Sequence, residues 1–584
     1  MNHLHQTENN FNTRLRLLLG VFILFGLLIA VRLVYLMVFQ HDFYVALAAG
    51  SHEVNSHLFP VRGQVYIQDS RSHELYPLAM NRDYFLLYAD TRQIESDTVA
   101  SSTVARLTSI FNYEVSRQQE IFNQLNKRTD PYEPIENKVD EDTMNRIKEM
   151  NLPGIGFVRK IFRVYPENSL AAPVVGFLGK DTNGNDVGHY GVEGYWNKEL
   201  SGKGGFVFGP KSAMGAIIPM AGGTFTAAED GADIVLTIDR ALQFTACEKL
   251  RQKMTELNAV SATLIIMDPI NGAIRAMCSL PDFDPNKYNE VKSAGAFNNS
   301  SIFTPYEPGS IFKTVTMSAA VNEGLVTPQT TFVDTGSRAD FCQTPIRNAA
   351  DKVYGLQSMS GVLENSINTG MVFVAEKLGK DKFKKYLNDF GFGTRLGLEL
   401  DSEMSGSIST LSANKGNKID CYAATASFGQ GITVTPLQMV STYSVIANGG
   451  KLMKPYIVDE IRYADGHVEK TKPKEIRQVI EKKAALLTGG MLVNVVEKGH
   501  AKMAKILGYY IGGKTGTAQI PGPGGYTTET NHTFVGIAPV DNPKFVMLIK
   551  FEKPHSPWAE NSTVPLFGEI SDFVLKYYGI APTR

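Results

Sequence analysis

The sequence predicts an α/β (α+β) fold in which an antiparallel sheet carries a helical subdomain, preceded by a smaller mixed region and a membrane-spanning helix. Three observations predict it. An apolar run occupies 17–39 near the N-terminus. Strand-and-turn patterns recur near 263–277 and again near 510–551. Between them, roughly 310 to 500, the apolar residues follow mainly helical spacing.

The elements follow in order. Leu17 to Phe39 is apolar apart from Arg32 and exceeds the ~20 residues a spanning helix needs. Arg14 and Arg16 precede it and favour a cytoplasmic tail over 1–16, while Arg32 can snorkel towards the outer surface. Ala46-Leu-Ala48 offers a signal-peptide cleavage site, but it follows His41, Asp42 and Tyr44 well past the apolar run, so an uncleaved anchor is the better reading. Residues 40–225 mix short strands with a charged helical stretch, Val104 to Met150, and end in a Gly-rich segment, 202–223. In 226–584, Thr263–Met267 and Ala273–Met277 flank an Asn271-Gly272 hairpin turn. Later strands are expected at Tyr510–Gln519, His532–Ile537 and Lys544–Phe551, the last two joined through Asp541-Asn-Pro543. Helices are expected over Ala424–Asn448 and over Ile570–Tyr578, the latter packing on the sheet.

A length of 584 residues suggests several domains, and a net charge of −1 gives no reason to expect a nucleic-acid partner. Cys247, Cys278, Cys342 and Cys421 are far apart and lack metal-ligand spacing, so no metal site is expected. In an exported domain Cys342 and Cys421 can pair; four buried thiols is the preferred reading. No cofactor signature is present.

Three strings carry chemistry: Ser310-Ile-Phe-Lys313, Ser366-Ile-Asn368 and Lys514-Thr515-Gly516. Pro308-Gly309 precedes the first and an apolar helical run follows, which places Ser310 at a helix N-terminus, where free N–H groups favour developing negative charge. Residues three apart share a helix face, so the Lys313 amine can reach the Ser310 hydroxyl. Ser366 to Asn368 lies in a polar turn between helical segments, and Lys514 in a strand whose glycines admit a close substrate backbone. Together these are the parts of an acyl-transferring serine enzyme with lysine as base. Ser412-Ala-Asn-Lys415 spells two of the patterns but sits in a loop-like stretch, Ser405 to Asn417, and is read as a decoy. Gly513-Lys514-Thr515 also invites a nucleotide-binding reading, which is dropped on the ground that Tyr509 stands where the P-loop's first glycine is expected.

On these residues the chain resembles the class B penicillin-binding proteins, the D,D-transpeptidases of peptidoglycan synthesis. The resemblance rests on Tyr306–Lys313, Ser366–Asn368 and Lys514–Ala518, supported by Ser427-Phe-Gly-Gln-Gly431, Thr435-Pro-Leu-Gln438 and His532–Pro539. It reaches upstream through Arg62-Gly63, Gly191-Val-Glu193 and Leu236–Asp239. It implies a penicillin-binding/β-lactamase-like transpeptidase domain over 226–584, with the active site between sheet and helical subdomain. It also implies a non-catalytic pedestal of the dimerisation type over 40–225, a structural Arg62–Glu193 ion pair within it, and no glycosyltransferase.

The resemblance assigns roles. Ser310 is the nucleophile, and Lys313 the base, which requires its pKa to fall from about 10.4 through burial and a neighbouring cation. Ser366 relays the proton to the leaving D-alanine, and Asn368 orients the peptide amide and Lys313. Lys514, with Thr515, Gly516 and Thr517, binds the terminal carboxylate of a D-Ala-D-Ala stem peptide. The N–H groups of Ser310 and Thr517 form the oxyanion hole, worth about 3 kcal/mol per donor. Implied partners are the donor and amine-acceptor stem peptides, β-lactams, the membrane, a separate glycan polymerase and division proteins. His532 to Pro539 and the short pedestal look closer to the division-specific (septal) branch than to the elongation-specific one. A β-lactamase, a penicillin sensor and a degenerate scaffold are the competing readings. Glu364, Glu399 and Glu403 lack the Leu-Asn that follows the deacylating Glu of one β-lactamase class. The implied location is the cytoplasmic (inner) membrane, single pass, with the catalytic region outside.

Overall fold

The computed structural model describes residues 4–38, 53–210, 224–413 and 416–584. Contacts divide the chain into two units, one of Met1–Val61 with Gly202–Asp230, the other of Arg62–Ser201 with Gly231–Arg584.

The first unit contains a helix, Leu4–Val38, and a three-stranded antiparallel sheet with Gly205–Pro210 between Glu53–Leu58 and Thr224–Thr226. Side chains Leu19 to Ile29 along the helix are apolar and exposed save for two glycines. Among the described residues no helix is long and apolar enough to cross a membrane. The anchor expected over 17–39 extends at both ends beyond the side chains that are described, and Ala46 to Ala48 lies outside the described residues altogether.

The second unit holds two large sheets. The seven-stranded one runs, in spatial order, Val468–Lys470, Val458–Arg462, Asp233–Asp239, Val65–Gln68, Leu75–Ala89 and Glu133–Val139, with Ile155–Val164 also paired to Leu75–Ala89. A separate core of Leu87, Ile94, Leu107, Ile121 and Ile147 packs helices Asp97–Phe111, Val115–Leu125 and Glu141–Glu149 beside it. The charged stretch Val104–Met150 is therefore not one helical block: Glu133–Val139 is a strand, since it can pair with Leu75–Ala89. The expected Arg62–Glu193 pair is present with N···O at 2.6 Å, and Arg163 adds a second arm at 2.7 Å. Complete burial works against the Glu193 carboxylate, but the Arg163 and Arg62 charges outweigh it and hold its pKa below the ordinary value.

The other sheet has five antiparallel strands: β1 (Ser261–Met267), β2 (Ile274–Leu280), β3 (Gly512–Gly522), β4 (Gly525–Ala538) and β5 (Phe545–Glu552), in the order β2-β1-β5-β4-β3. Its central strands are buried along nearly their whole length and show no polar alternation, because helices cover both faces. Helix α1 (Arg240–Glu256) packs with a C-terminal helix, Ala559–Tyr577, on one side; α5 (Pro436–Ala447) and Lys482–Glu497 pack together on the other. The C-terminal helix starts eleven residues before the expected Ile570, carrying Pro565 within it. The helix expected over Ala424–Asn448 is two, Cys421–Ala426 and Pro436–Ala447; the Gly-rich loop 427–435 breaks it. Thr435 starts the second with a capping box to Gln438 and Pro436 at its first position.

The cysteines are not thiols. Cys247 pairs with Cys278 and Cys342 with Cys421. The first bridge, which the sequence reading did not raise, joins α1 to β2, elements whose packing brings the two Cα atoms to 5.6 Å.

Candidate active site

Ser310 lies in a 3-10 turn, Gly309–Phe312, that runs directly into α2 (Lys313–Asn322). Residues 313–321 of α2 are all buried, so this helix has no solvent face and its first turn is fixed from every side. Two close backbone approaches hold the turn. Gly429, at φ +85°, sits so near that an added Cβ would stand 2.2 Å from Gly309 O, and Gly309 N–H donates to Gly429 O at 3.0 Å. On the other side Gly516 of β3 leaves room for Pro308 O, which an added Cβ would meet at 3.0 Å. The Ser427–Gly431 loop and β3 thus clamp the serine turn between them.

Helices α3 (Met359–Glu364) and α4 (Asn368–Leu378) flank the turn bearing Ser366, which takes a left-handed φ of +55°. A non-glycine residue there is uncommon and marks a constrained position. The turn is braced by a residue no motif contains. Asn348 Oδ1 accepts from the N–H groups of Asn368 and Thr369 at 3.0 and 3.2 Å, capping α4 from a distant segment. Buried Asp334 holds Asn348 Nδ2 and the Thr369 hydroxyl in turn.

These elements bring the three strings together around a cavity of about 310 Å³, lined by Ser310, Ser366, Asn368, Thr515 and Thr517 among others. Lys313 and Lys514 are both fully buried and meet at one hydroxyl. Lys313 Nζ is 3.1 Å and Lys514 Nζ 3.0 Å from Ser366 Oγ, and Lys313 also donates to Ser366 O. Lys514 further donates to Thr515 O at 3.2 Å. Burial, and then the Lys514 charge, push the Lys313 amine well below its ordinary range. Burial lowers Lys514 to about 7. A neutral Lys313 beside a hydroxyl, with a second lysine able to carry charge next to it, can take and pass a proton. Ser310 Oγ makes no hydrogen bond among the described residues; the reach to Lys313 expected from helical spacing is not closed in this state.

Asn368 departs from its expected partner: its Nδ2 donates to Arg347 O at 2.8 Å, not towards Lys313, because the capped start of α4 draws it to the 347–348 segment. Gly516 serves as spacer in the clamp. Thr517 Oγ1 accepts the N–H of Ala559 at 3.1 Å, which ties the start of α7 (Ala559–Tyr577), earlier given as the C-terminal helix, to β3. Glu307 joins Gly431 N and Tyr526 OH at 3.0 and 2.8 Å, linking the 427–431 loop to the β3–β4 hairpin.

The decoy is resolved by position. Ser412 is exposed and accepts from Lys384 Nζ, while Asn414 and Lys415 lie outside the described residues. Gly508-Tyr-Tyr-Ile-Gly-Gly-Lys-Thr515 in fact meets the full P-loop spacing, so spelling does not dismiss it; the fold does, since Lys514 lies inside a strand and not in a loop opening a helix. Glu399 and Glu403 are committed to Lys454 and to the N–H groups of Leu396–Leu398, away from the cavity wall. Sequence reasoning missed Asp334, Asn348, Lys352, His500, Trp558 and Glu560, which reach or brace the cavity from segments with no motif to announce them.

The family model for the penicillin binding protein transpeptidase domain matches residues 262–572, and that for the penicillin-binding protein dimerisation domain matches 58–236. The chain belongs to the penicillin-binding protein transpeptidase family. Among its relatives are stage V sporulation protein D of Bacillus subtilis, 31% identical over 99% of this chain and 88% of that protein, and peptidoglycan D,D-transpeptidase FtsI of Escherichia coli, 29% identical over 76% and 72%. Penicillin-binding protein 2X of Streptococcus thermophilus has the same fold at a TM-score of 0.73 with 21% identity, covering 90% of this chain and 80% of that one. Penicillin-binding protein 3 of Mycobacterium tuberculosis, solved with aztreonam, superposes at 0.68 with 24% identity over 91% and 98%.

Proposed function

We propose that this chain is a serine D,D-transpeptidase that cross-links peptidoglycan stem peptides through an ester on Ser310. The observation that carries the reading is the pair of buried lysines meeting at the Ser366 hydroxyl beside Ser310. In the forward half-reaction neutral Lys313 takes the Ser310 proton, Oγ attacks the penultimate D-alanine carbonyl, and Ser366 passes the proton to the departing D-alanine amine. The N–H groups of Ser310 and Thr517 hold the oxyanion. Lys514, Thr515 and Thr517 hold the terminal carboxylate, and Gly516 lets the substrate-bearing strand lie against the serine turn. Asn368, at the cavity wall, faces the peptide amide. An amine of a second stem peptide then resolves the ester.

The rest of the reading places 40–225 as pedestal and 226–584 as catalytic domain, with 17–39 as a single inner-membrane anchor, 1–16 cytoplasmic and no glycosyltransferase, so a separate polymerase supplies the glycan. Two disulfides support an oxidising, extracytoplasmic setting. The division-specific role is preferred over elongation; depletion that yields filaments supports it, and depletion that yields round cells ends it. The chemistry is tested by intact mass after benzylpenicillin. One persistent adduct on the wild type and none on Ser310→Ala supports the transpeptidase; rapid return to free mass with drug consumed makes the chain a hydrolase.

A further inference from the structure

The proposed transfer joins reactants of opposite charge. The donor ends in a carboxylate, whereas the acceptor amine reaches the site as an ammonium at neutral pH. The three motifs provide for the first and contain nothing for the second. Lys514 stands at the cavity and Lys352 lines it, but among the described residues lining it Glu560 alone is a carboxylate.

Its placement is built from two directions. The Ala559 N–H bond to Thr517 Oγ1 fixes the first turn of α7 against β3, so residue 560 stands beside the strand that bears Lys514. His500 Nδ1 lies 3.1 Å from Glu560 Oε1 and steadies the carboxylate from the segment following α6 (Lys482–Glu497). Glu560 Oε2 makes no hydrogen bond among the described residues, and the side chain, which lines the cavity, is 40% exposed. The His500 contact, with the Lys514 and Lys352 charges behind it, holds the Glu560 carboxyl below its ordinary range.

We propose that Glu560, held by His500, is the acceptor site: its carboxylate accepts hydrogen bonds from the incoming primary amine and aims the nitrogen at acylated Ser310. The proposal rests on the transpeptidase reading above. The ammonium gives one proton to solvent, and the neutral nitrogen, still hydrogen-bonded to Glu560, attacks the ester carbonyl carbon. The C–N bond forms, a second proton passes through Lys313 to Ser310 Oγ, and the C–Oγ bond breaks. Glu560 exchanges no proton in this sequence and acts only by binding.

The competing role for an acid in the first helical turn is to complement the helix dipole. The two are separated by partition. The detergent-solubilised full chain is given a stem pentapeptide ending in D-Ala-D-Ala as donor and Nα-acetyl-lysine amide as acceptor, and the ratio of amide product to hydrolysed donor is read by mass. That ratio is internal to the acyl-enzyme and independent of how fast it forms. Loss of one charge-assisted contact predicts about a 5- to 10-fold fall in the ratio for Glu560→Gln. Partial recovery in Glu560→Asp and a smaller fall in His500→Asn are expected with it. An unchanged ratio in Glu560→Gln, with only the thermal midpoint lowered, assigns the residue to the helix dipole and overturns the proposal. A wild type that never acylates sinks the transpeptidase reading, and this proposal with it.

Discussion

Two ammonium groups cannot both be comfortable at one hydroxyl, and that makes a pH prediction. Each Nζ lies about 3 Å from Ser366 Oγ, so Lys313 and Lys514 stand no more than about 6 Å apart. At an effective dielectric of about 20 such charges repel by about 3 kcal/mol, equivalent to about 2 pKa units. Burial lowers Lys313 first and the Lys514 charge adds to it, while Lys514 itself titrates at about 7. Below that value the pair holds one proton, on Lys514, until Lys313 also protonates in acid. On the proposed mechanism the second-order rate constant for acylation by benzylpenicillin is therefore expected to be bell-shaped, with an alkaline limb near 7 from Lys514 and an acid limb from Lys313. Lys514→Gln removes the repelling charge. Its acid limb is expected to move up by about 2 pH units, its alkaline limb to vanish, and its maximum to drop because the proposed carboxylate anchor is gone. Stopped-flow acylation across the pH range measures all three. An acid limb that stays in place in the variant would refute the electrostatic coupling and leave burial as the sole cause of a neutral Lys313.

Other perturbations reach different parts of the machine. Gly429→Ala places a Cβ 2.2 Å from Gly309 O, so acylation by benzylpenicillin is expected to fall at least ~10-fold while circular dichroism stays native. Asn348→Ala removes the cap on α4 and is expected to cost about 1–2 kcal/mol in denaturant titration, with slower acylation from the displaced Ser366 turn. Glu193→Gln leaves Arg62 and Arg163 buried without their counter-charge, a loss of about 3–5 kcal/mol by thermal melting. Because the folded Glu193 pKa is depressed, its contribution is full above the unfolded carboxylate pKa and is lost as pH falls through the folded value, so the wild-type and variant stabilities converge in acid. The pair Cys342→Ser, Cys421→Ser opens a 79-residue link and is expected to lower stability by about 4.5 kcal/mol on the loop-entropy argument.

Local signals carried much of this fold. The Asn271-Gly272 turn between apolar runs gave β1 and β2; β5 and the end of β4 were visible as apolar runs covered on both faces, and β3 through the glycines around Lys514. The breaks were less visible. Glu133–Val139 is charged enough to pass for helix and becomes a strand only through its neighbour Leu75–Ala89. Pro565 hid the first half of α7. At the site, the short spacings of Ser310 to Lys313 and Ser366 to Asn368 are local facts and were legible. The brace of Asp334 and Asn348 and the lining by His500 and Glu560 arise from tertiary packing, which no spacing rule encodes. The cysteines erred for the same reason: Cys247 and Cys278 become neighbours only when α1 lies on β2.

The hydroxyl shared by the two lysines joins side chains 53 and 148 positions from Ser366 along the chain. Contacts so remote form late, after the intervening loops have closed. A chain emerging N-terminus first carries Ser310 long before it carries Lys514, and until the last strands join the sheet that serine lacks Lys514 and the β3 side of its clamp. Under the proposed reaction, reactivity is thereby withheld from the incomplete polypeptide, and the arrival of a covalent β-lactam label is expected to serve as a clock for the completion of folding.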